Sequence, residues 1–410
     1  MLAALPSPDR IAAIDVVRGI AVIGIVLMNI FAFAMPSAAY FNPLAYGGTD
    51  GLSMGVWTAS FLLVEDKFRG LFAILFGASA LLLLGSASQA RHYVRMAWLF
   101  LFGLAHAILL ASNDILRLYA LCGLFLPLFA ALSARRLWQG AALLMLLHLL
   151  AGGALFARWT AEVLSFTGPT AVTGALAYIE RLFGAVPDMV ERQRALMIGP
   201  YGDVIAWRIS NWSGPLLTAL AFLPVTLAQM LSGMALYRSG FFTGGWSLAQ
   251  LRRCAMLGMA LGLPPLVGLA AWAFANGFAS IVVAGNALIW SAPFDLALSL
   301  AFAALAMLWL GRAGGTALAQ RLAATGRMAL SNYLATSVIF ALIFYSFGLG
   351  QWGEYGRTAL YCIAAVPMLA MLLWSRPWLT RYRYGPAEWL WRSLVERRAV
   401  ALRGGVYDRA

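Results

Sequence analysis

The sequence predicts an all-α fold, a polytopic bundle of transmembrane helices, and two features of its composition support that prediction. Of the 410 residues, 62% are hydrophobic and only 11% are charged. Soluble domains carry roughly 45–50% apolar and about 25% charged residues. The chain has too little charge to cover a water-exposed surface of this size. This excludes a soluble globular enzyme, a disordered protein and a free nucleic-acid-binding protein, so we expect no nucleic acid partner.

Ten segments are apolar over roughly the 20 residues that a membrane-spanning helix needs. We expect the spans at 14–35, 68–86, 96–112, 116–132, 137–157, 213–237, 254–275, 281–310, 328–347 and 358–374. Together they define a transmembrane helical domain over residues 1–375, which is followed by a basic, aromatic tail over 376–410. Two long outer loops, 36–67 and 158–212, interrupt the spans.

The basic residues predict how the spans are oriented. The chain contains 29 Lys+Arg against 16 Asp+Glu. Most of the basic residues fall on the inner side if the N-terminus is placed inside. Because cytoplasmic loops are enriched in Lys and Arg, we expect both termini to be cytoplasmic. The first apolar run lacks the cleavage site of a secretory signal peptide and is predicted to remain as a helix. We therefore expect a multi-pass protein of a bacterial inner membrane.

The outer loops and the tail suggest roles of their own. The amphipathic stretch from Trp57 to Asp66 either lies in the membrane interface or extends the second helix outward. Loops as long as 158–212 are usually functional, for example as a lid or a binding surface. The tail combines Arg with Trp and Tyr, a composition that favours an anchor on anionic lipid. Membrane lipids are therefore expected partners.

A polar line runs along the first span. Asp15 and Arg18 lie three residues apart and share a helix face, and Asn29 follows eleven residues after Arg18 on nearly the same face. A charged group inside a span costs at least about 2.5–3.5 kcal/mol on insertion scales, which makes it a functional candidate. One interpretation is a salt bridge that fixes the helix at the interface. The other is an anion site, in which Asp15 orients Arg18 toward a phosphate or carboxylate.

His106 is the candidate general base. It lies near the outer end of the third span, and Asp114 and Tyr119 follow after a short loop that folds the next span back. An imidazole beside a carboxylate in a low-dielectric site is the arrangement that proton abstraction requires. The alternative is a histidine that bonds to a neighbouring helix, which is also our interpretation of the isolated His148.

Polar residues of later spans complete the candidate binding set. Asp295 lies near the middle of the eighth span and is predicted either to pair with Arg18 or to relay protons. Arg327 marks the cytoplasmic edge of the ninth span. Asn332 and Tyr333 follow it, where they either line a ligand entrance or bond helix to helix. No nucleotide-binding loop, nucleophile elbow or metal cluster occurs in the sequence, so we expect no metal and no tightly bound cofactor.

Six short stretches resemble the YeiB-like membrane proteins, a family named for a domain of unknown function. They occur in the family's order and run from end to end of the chain. The stretches are Asp15-Val-Val-Arg-Gly19, Lys67-Phe-Arg-Gly-Leu-Phe72, Gly103-Leu-Ala-His106, Asp114-Ile-Leu with Tyr119-Ala-Leu-Cys-Gly123, Gly326-Arg-Met-Ala-Leu-Ser-Asn-Tyr333 and Tyr384-Gly-Pro-Ala-Glu-Trp-Leu-Trp-Arg392.

The first helix also resembles that of transmembrane acyltransferases related to heparan-alpha-glucosaminide N-acetyltransferase. That resemblance implies transfer of an acyl group from cytosolic acyl-CoA to an acceptor at or across the membrane. It implies that Arg18 and Arg327 meet the acidic CoA moiety from inside. Those enzymes carry a histidine just after the first span, whereas Tyr40-Phe-Asn-Pro43 stands at the comparable place here. The chemistry would therefore fall to His106.

The leading hypothesis is a membrane-bound acyltransferase. In it His106, oriented by Asp114, deprotonates a hydroxyl or amine acceptor, either a small molecule or a lipid or glycan, or carries the acyl group itself. One alternative is a proton-coupled transporter or exporter of an amphipathic small molecule. The other is a lipid- or quinone-binding membrane protein without turnover. The sequence leaves the acceptor, the acyl chain and the oligomeric state open.

Overall fold

The computed structural model describes residues 8–85, 88–165 and 174–403. Within these ranges the chain is helical and contains no strand, which confirms the all-α fold class. The first nine helices are α1 Pro8–Ala34, α2 Gly51–Leu63, α3 Lys67–Leu84, α4 Gln89–Leu109, α5 Leu116–Phe129, α6 Ala134–Ser165, α7 Gly174–Phe183, α8 Pro187–Ile198 and α9 Tyr201–Ser210. The remaining helices are α10 Ser213–Arg238, α11 Leu248–Ala275, α12 Ser280–Gly285, α13 Ala292–Ala313, α14 Ala317–Arg327, α15 Ala329–Phe344, α16 Arg357–Arg381 and α17 Pro386–Glu396.

Eight helical segments of the described chain are long and apolar enough to cross a membrane, and the number becomes nine if α14 and α15 form one span. These two helices meet at a bend of 82°. The fourth expected span, 116–132, corresponds to α5, which has only 14 residues. At a rise of 1.5 Å per residue it is about 21 Å long, shorter than the roughly 30 Å hydrocarbon core of a bilayer. The expected span 281–310 is also divided, because a five-residue π-helical turn follows α12 and α13 starts only at Ala292.

The stretch between Trp57 and Asp66 belongs to a helical extension of the second span. Helices α2 and α3 together form one 34-residue apolar segment, Gly51–Leu84. At about 1.5 Å per residue this segment is roughly 51 Å long, so it projects well beyond the hydrocarbon core. A local break separates the two helices where Asp66 adopts a left-handed backbone conformation with φ 58°. The break places charged side chains of residues 65–69 inside the bundle.

Helix α1 is central in the bundle and packs against α3, α14, α15 and α16. The most apolar stretch of α1 is 67% buried, whereas the corresponding stretches of the peripheral helices α6, α11 and α16 are 28% buried. The tightest crossing of α1 is with α14. A Cβ atom added at Gly19 would overlap the carbonyl of Leu322, and one added at Gly326 would overlap the carbonyl of Asp15. The two glycines therefore allow backbone contact beside the polar end of α1.

The long segment 158–212, expected as an outer loop, and the tail both contain helices. The end of α6, together with α7, α8 and α9, occupies much of 158–212, and the helix expected around Leu176–Phe183 lies within α7. In the tail, α17 docks against α4 and α15. Its Glu388 accepts hydrogen bonds from the backbone N–H groups of Leu330 (2.7 Å) and Ser331 (3.0 Å) at the start of α15. The tail is thus attached to the bundle and does not lie on lipid alone.

Candidate functional site

A carboxylate, an imidazole and a hydroxyl form a continuous line in the interior of the bundle. Nδ1 of His106 lies 2.9 Å from Oδ1 of Asp114, and Nε2 of His106 lies 2.8 Å from Oγ of Ser337. The first approach is a close polar contact rather than a linear hydrogen bond, and neither atom hydrogen bonds elsewhere in the described chain. The side chains of His106 and Asp114 are 2% and 0% exposed. We call these three residues the relay.

The local sequence explains how Asp114 reaches His106. Helix α4 ends at Leu109, and after a short loop α5 begins at Leu116. Asp114 lies just before α5, where its Oδ2 accepts the backbone N–H of Arg117 at 2.9 Å. Gly103, one turn before His106, provides the room, because a Cβ atom there would overlap Oδ2 of Asp114. The predicted proximity of His106 and Asp114 is thereby confirmed.

Helix α15 supplies the rest of the relay. The Tyr333 ring lies 5.0 Å from the His106 ring between centroids. Ser337, one turn further along α15, donates to the carbonyl of Tyr333 at 3.2 Å when its hydroxyl is not turned toward His106. Reasoning from the sequence missed Ser337. Its only signal was the position four residues after Tyr333, on the same helix face.

A second polar group surrounds the N-terminal part of α1. Nη1 of Arg18 contacts Oδ1 of Asp15 at 2.7 Å, and its Nη2 donates to Oγ of Ser79 at 2.7 Å. Arg327 lies within electrostatic range of Asp15 and donates to the carbonyl of Arg383 at 3.4 Å. The Arg18 side chain is 21% exposed. The structure therefore brings together Asp15, Arg18 and Arg327, as an anion site at this end would require.

Three other predicted residues have separate surroundings. Asn29 is half-buried, and its side chain has no hydrogen-bond partner among the described residues. Tyr119 is close to the relay in sequence, but its hydroxyl donates to the carbonyl of Arg69 at 2.6 Å. Asn332 donates to the carbonyl of Thr325 at 3.0 Å and accepts from Trp374 Nε1 at 2.9 Å. Of the two interpretations of Asn332, these contacts fit helix-to-helix bonding.

Asp295 pairs with Lys67 and not with Arg18. Nζ of Lys67 lies 2.7 Å from Oδ1 of Asp295, and the two side chains are 1% and 2% exposed. The expected partner Arg18 is occupied by Asp15, so that half of the prediction was wrong. Glu65 and Arg357 are also buried nearby. The sequence analysis placed Lys67, Glu65 and Arg357 in outer loops. It therefore did not connect them with Asp295, although a carboxylate inside a span requires a compensating cation.

The two remaining predictions concern histidine and metal. His148 hydrogen bonds through Nε2 to the carbonyl of Leu288 at 2.9 Å, as expected of a histidine bonded to a neighbouring helix. Across residues 8–85, 88–165 and 174–403, no three His, Cys, Asp or Glu side chains are grouped to hold a metal ion. The relay itself brings together an imidazole, a carboxylate and a hydroxyl.

The chain is similar to known proteins along nearly its whole length. Residues 236–398 match a family model described as "Protein of unknown function (DUF418)". The "Uncharacterized protein YeiB" of Escherichia coli (strain K12) is 31% identical over 413 residues, which covers 95% of this chain and 97% of that protein. The "Uncharacterized protein YxaH" of Bacillus subtilis (strain 168) is 27% identical, with 94% of each chain covered. A 39.9 kDa protein encoded in the amylase 3' region of Bacillus acidopullulyticus is 24% identical over 95% of both chains.

Proposed function

The chain belongs to the YeiB-like family of DUF418 proteins, and from this premise we propose that it is an acyltransferase of the bacterial inner membrane that reacts at the relay. Its many apolar helices make it a multi-pass membrane protein. The observation that carries the proposal is the contact of one imidazole with a carboxylate on one side and a hydroxyl on the other. This constellation activates a nucleophile in unrelated enzymes, where it is recognised by geometry and roles rather than by sequence position.

The chemistry follows from the order of the three groups. His106 Nε2 takes the proton of Ser337 as Oγ attacks the thioester carbonyl of an acyl-CoA. The C–S bond breaks, the CoA thiolate receives the proton from His106, and the acyl group remains as an ester on Ser337. His106 then deprotonates the acceptor, which attacks the ester carbonyl and returns the serine hydroxyl. Asp114 stabilises the imidazolium in both half-reactions. This stabilisation is largest where the site excludes water.

The position of the cations at the inner end of the bundle supports acyl-CoA as the donor. Arg18 and Arg327 lie near the crossing of α1 and α14, where the phosphates of a cytosolic CoA derivative would arrive. Arginine suits this task because its planar fork binds phosphate in a bidentate manner. Ser337 lies eight residues into α15, about 12 Å beyond its first residue at 1.5 Å per residue. The nucleotide would therefore stay at the inner end while the thioester reaches the relay.

The test is release of free CoA from several acyl-CoAs by the protein in nanodiscs. We expect His106→Ala and Ser337→Ala each to lower the rate by about 10²–10⁴-fold, because the base or its nucleophile is lost. His148→Ala is the matched control and is expected to leave the rate unchanged, since His148 only bonds to a helix carbonyl. Mass spectrometry of the Ser337→Cys variant tests for an acyl adduct at this position. Wild-type rates in His106→Ala would refute the mechanism.

Donor binding is tested separately, because an absent acceptor also prevents turnover. We expect Arg18→Ala to weaken acyl-CoA binding by about tenfold or more, the effect of losing one charge-assisted contact. His106→Ala leaves binding intact in the same assay. If the wild-type protein neither binds nor cleaves acyl-CoA, both the donor site and the transfer are refuted.

One observation favours proton-coupled transport as a second candidate function. The buried pair of Lys67 and Asp295 lies inside the bundle next to Glu65. Ionisable groups at such positions are common in the proton relays of pumps and transporters. Uptake of an amphipathic substrate into proteoliposomes, dependent on a pH gradient and abolished in Asp295→Asn, would support it. The same uptake in His106→Ala would separate it from acyl transfer.

A further inference from the structure

A groove of about 210 Å³ lies between the end of α4, the loop that follows it, and α9. Its walls are mostly apolar and include Leu104, Ile108, Ile209 and Trp212. Arg117 and Arg208 are the charged residues that line it. The groove adjoins the relay, because Leu104 and Ile108 flank His106 in α4 and Arg117 contacts Asp114. It plays no part in the chemistry proposed above.

The groove has an excess of positive charge. Arg117 is compensated, since its Nε lies 3.6 Å from Oδ2 of Asp114 and its Nη2 donates to the carbonyl of Ser112 at 2.8 Å. Arg208 is only 8% exposed, yet its partners are neutral. Its Nη1 donates to the carbonyl of Ile108 at 3.2 Å, and its Nη2 donates to the hydroxyl of Tyr345 at 3.0 Å.

No carboxylate of the described chain forms an ion pair with Arg208. A tyrosine hydroxyl is neutral near pH 7, so the Tyr345 contact leaves the guanidinium charge uncompensated. A buried charge without a counter-ion is unfavourable, and protein interiors avoid it by pairing the charge with one of opposite sign. The groove therefore has the electrostatics of an anion site whose counter-charge comes from a ligand.

The mouth of the groove indicates where that ligand comes from. Leu104, Ile209 and Trp212 are exposed, and Leu104 lies on the spanning helix α4. An exposed side chain on a span contacts lipid, and tryptophan is enriched where the hydrocarbon core meets the headgroups. A ligand that enters from this side has an apolar chain to place against Leu104 and a charged head to place against Arg208.

We propose that this groove binds the phosphate headgroup of an anionic glycerophospholipid from the surrounding membrane. A groove of about 210 Å³ has room for a headgroup and is too small for a whole lipid. The acyl chains then lie outside, along the exposed apolar residues at the mouth. Guanidinium groups bind phosphate strongly because several parallel N–H groups face its oxygens. Lipid binding does not require that Ser337 be acylated, so this inference is independent of the proposed transferase activity.

The experiment is native mass spectrometry of the whole protein released from mixed micelles. The micelles contain equal amounts of phosphatidylglycerol and phosphatidylcholine with identical acyl chains. We expect the wild type to retain one phosphatidylglycerol with about tenfold preference, the size of one charge-assisted contact. Arg208→Gln should bring the ratio of the two lipids close to one. Arg208→Lys, which keeps the charge, should preserve part of the preference.

Two further variants separate a specific site from general effects. Arg192→Gln removes an exposed positive charge of the neighbouring helix α8 and should leave the preference unchanged. Leu104→Trp fills the mouth without altering charge and should reduce the retention of both lipids. Because Leu104 is exposed, this variant decides the question if Arg208→Gln does not fold.

Three results would overturn the proposal. The first is equal retention of both lipids by the wild type. The second is an unchanged preference in Arg208→Gln, or unchanged retention of both lipids in Leu104→Trp if only that variant folds. The third is full displacement of the lipid by glycerol 3-phosphate at equal concentration, because the site would then recognise a soluble phosphate and not a membrane lipid. Weak competition by glycerol 3-phosphate is expected, since it lacks the acyl chains.

Discussion

The Asp295→Asn substitution tests how far the bundle depends on its buried ion pair. The change keeps the shape of the side chain and removes its charge. Lys67 Nζ, 2.7 Å from the carboxylate and 1% exposed, then loses its ion-pair partner and keeps the carbonyl and the ring of Phe61 as neutral partners. Breaking a buried pair by removing one partner costs about 3–5 kcal/mol, because the remaining charge is uncompensated. We expect a loss of that size in the free energy of unfolding.

The backbone around this pair should survive the substitution. Ser299 donates to the carbonyl of Lys67 at 2.9 Å and to that of Asp295 at 2.7 Å. These contacts join α3 to α13 without using the carboxylate. The variant should therefore fold, and its lower stability should reflect lost charge compensation rather than lost structure.

The assay is reversible unfolding in mixed detergent micelles, followed by circular dichroism. Replacement of both partners, Lys67→Met with Asp295→Leu, should cost much less than either single change, because no buried charge is left. The exposed pair of Arg194 and Glu354, with Nη2 and Oε1 3.3 Å apart, provides a matched carboxyl-to-amide control. Glu354→Gln is expected to cost about 0–1 kcal/mol. The reasoning fails if Asp295→Asn costs less than about 1 kcal/mol or if the costs of the single changes simply add in the double variant.

Two other changes probe the bundle around the starts of α1 and α15. Gly326→Ala should lower the free energy of unfolding by about 1–3 kcal/mol, because the added methyl group overlaps the carbonyl of Asp15. Gly311→Ala is the control, because its Cβ atom meets open space, and it should be neutral or slightly stabilising in the same assay. Burial raises the pKa of Glu388 above its usual value of 4.5, although hydrogen bonds from Ser331 oppose the shift. Docking of α17 should thus be strongest below about pH 4.5 and weaken as the pH rises through the raised pKa. Distances between spin labels on α14 and α17 would measure this docking. Docking that does not depend on pH in the wild type, or the same pH dependence in Glu388→Gln, would contradict the assignment to Glu388.

Part of the relay was predictable because its members are close in the chain. His106 and Asp114 are eight residues apart, and a short loop between two apolar helices folds them together. Ser337 is 231 residues away from His106. No local pattern specifies that α15 packs beside α4 at the required level. The sequence could therefore supply the imidazole and its carboxylate, whereas the hydroxyl of Ser337, the proposed nucleophile, depends on how distant helices pack.

The Lys67–Asp295 pair shows a different limit. Hydropathy separates apolar spans from charged flanks, so a cation before a span is interpreted as a loop residue. Lys67 lies there in sequence, but the local break at Asp66 turns this region into the bundle interior. The lone carboxylate of Asp295 did indicate that a partner was needed. Its identity depends on the register of α3 against α13, which composition does not encode.

The polar groups at the start and in the middle of α15 place a physical demand on any function. The cations near Arg327 and the hydroxyl of Ser337 lie at different levels of the bundle, so a process that uses both must connect them. One means is movement of α15. Asn332 opposes it, because its side chain fastens the bend between α14 and α15 to the carbonyl of Thr325 and to Trp374. Breaking two buried hydrogen bonds costs about 1–3 kcal/mol each. A substrate with a long flexible arm spans the two levels without that cost, which favours acyl transfer from a carrier thioester over rocking of this helix.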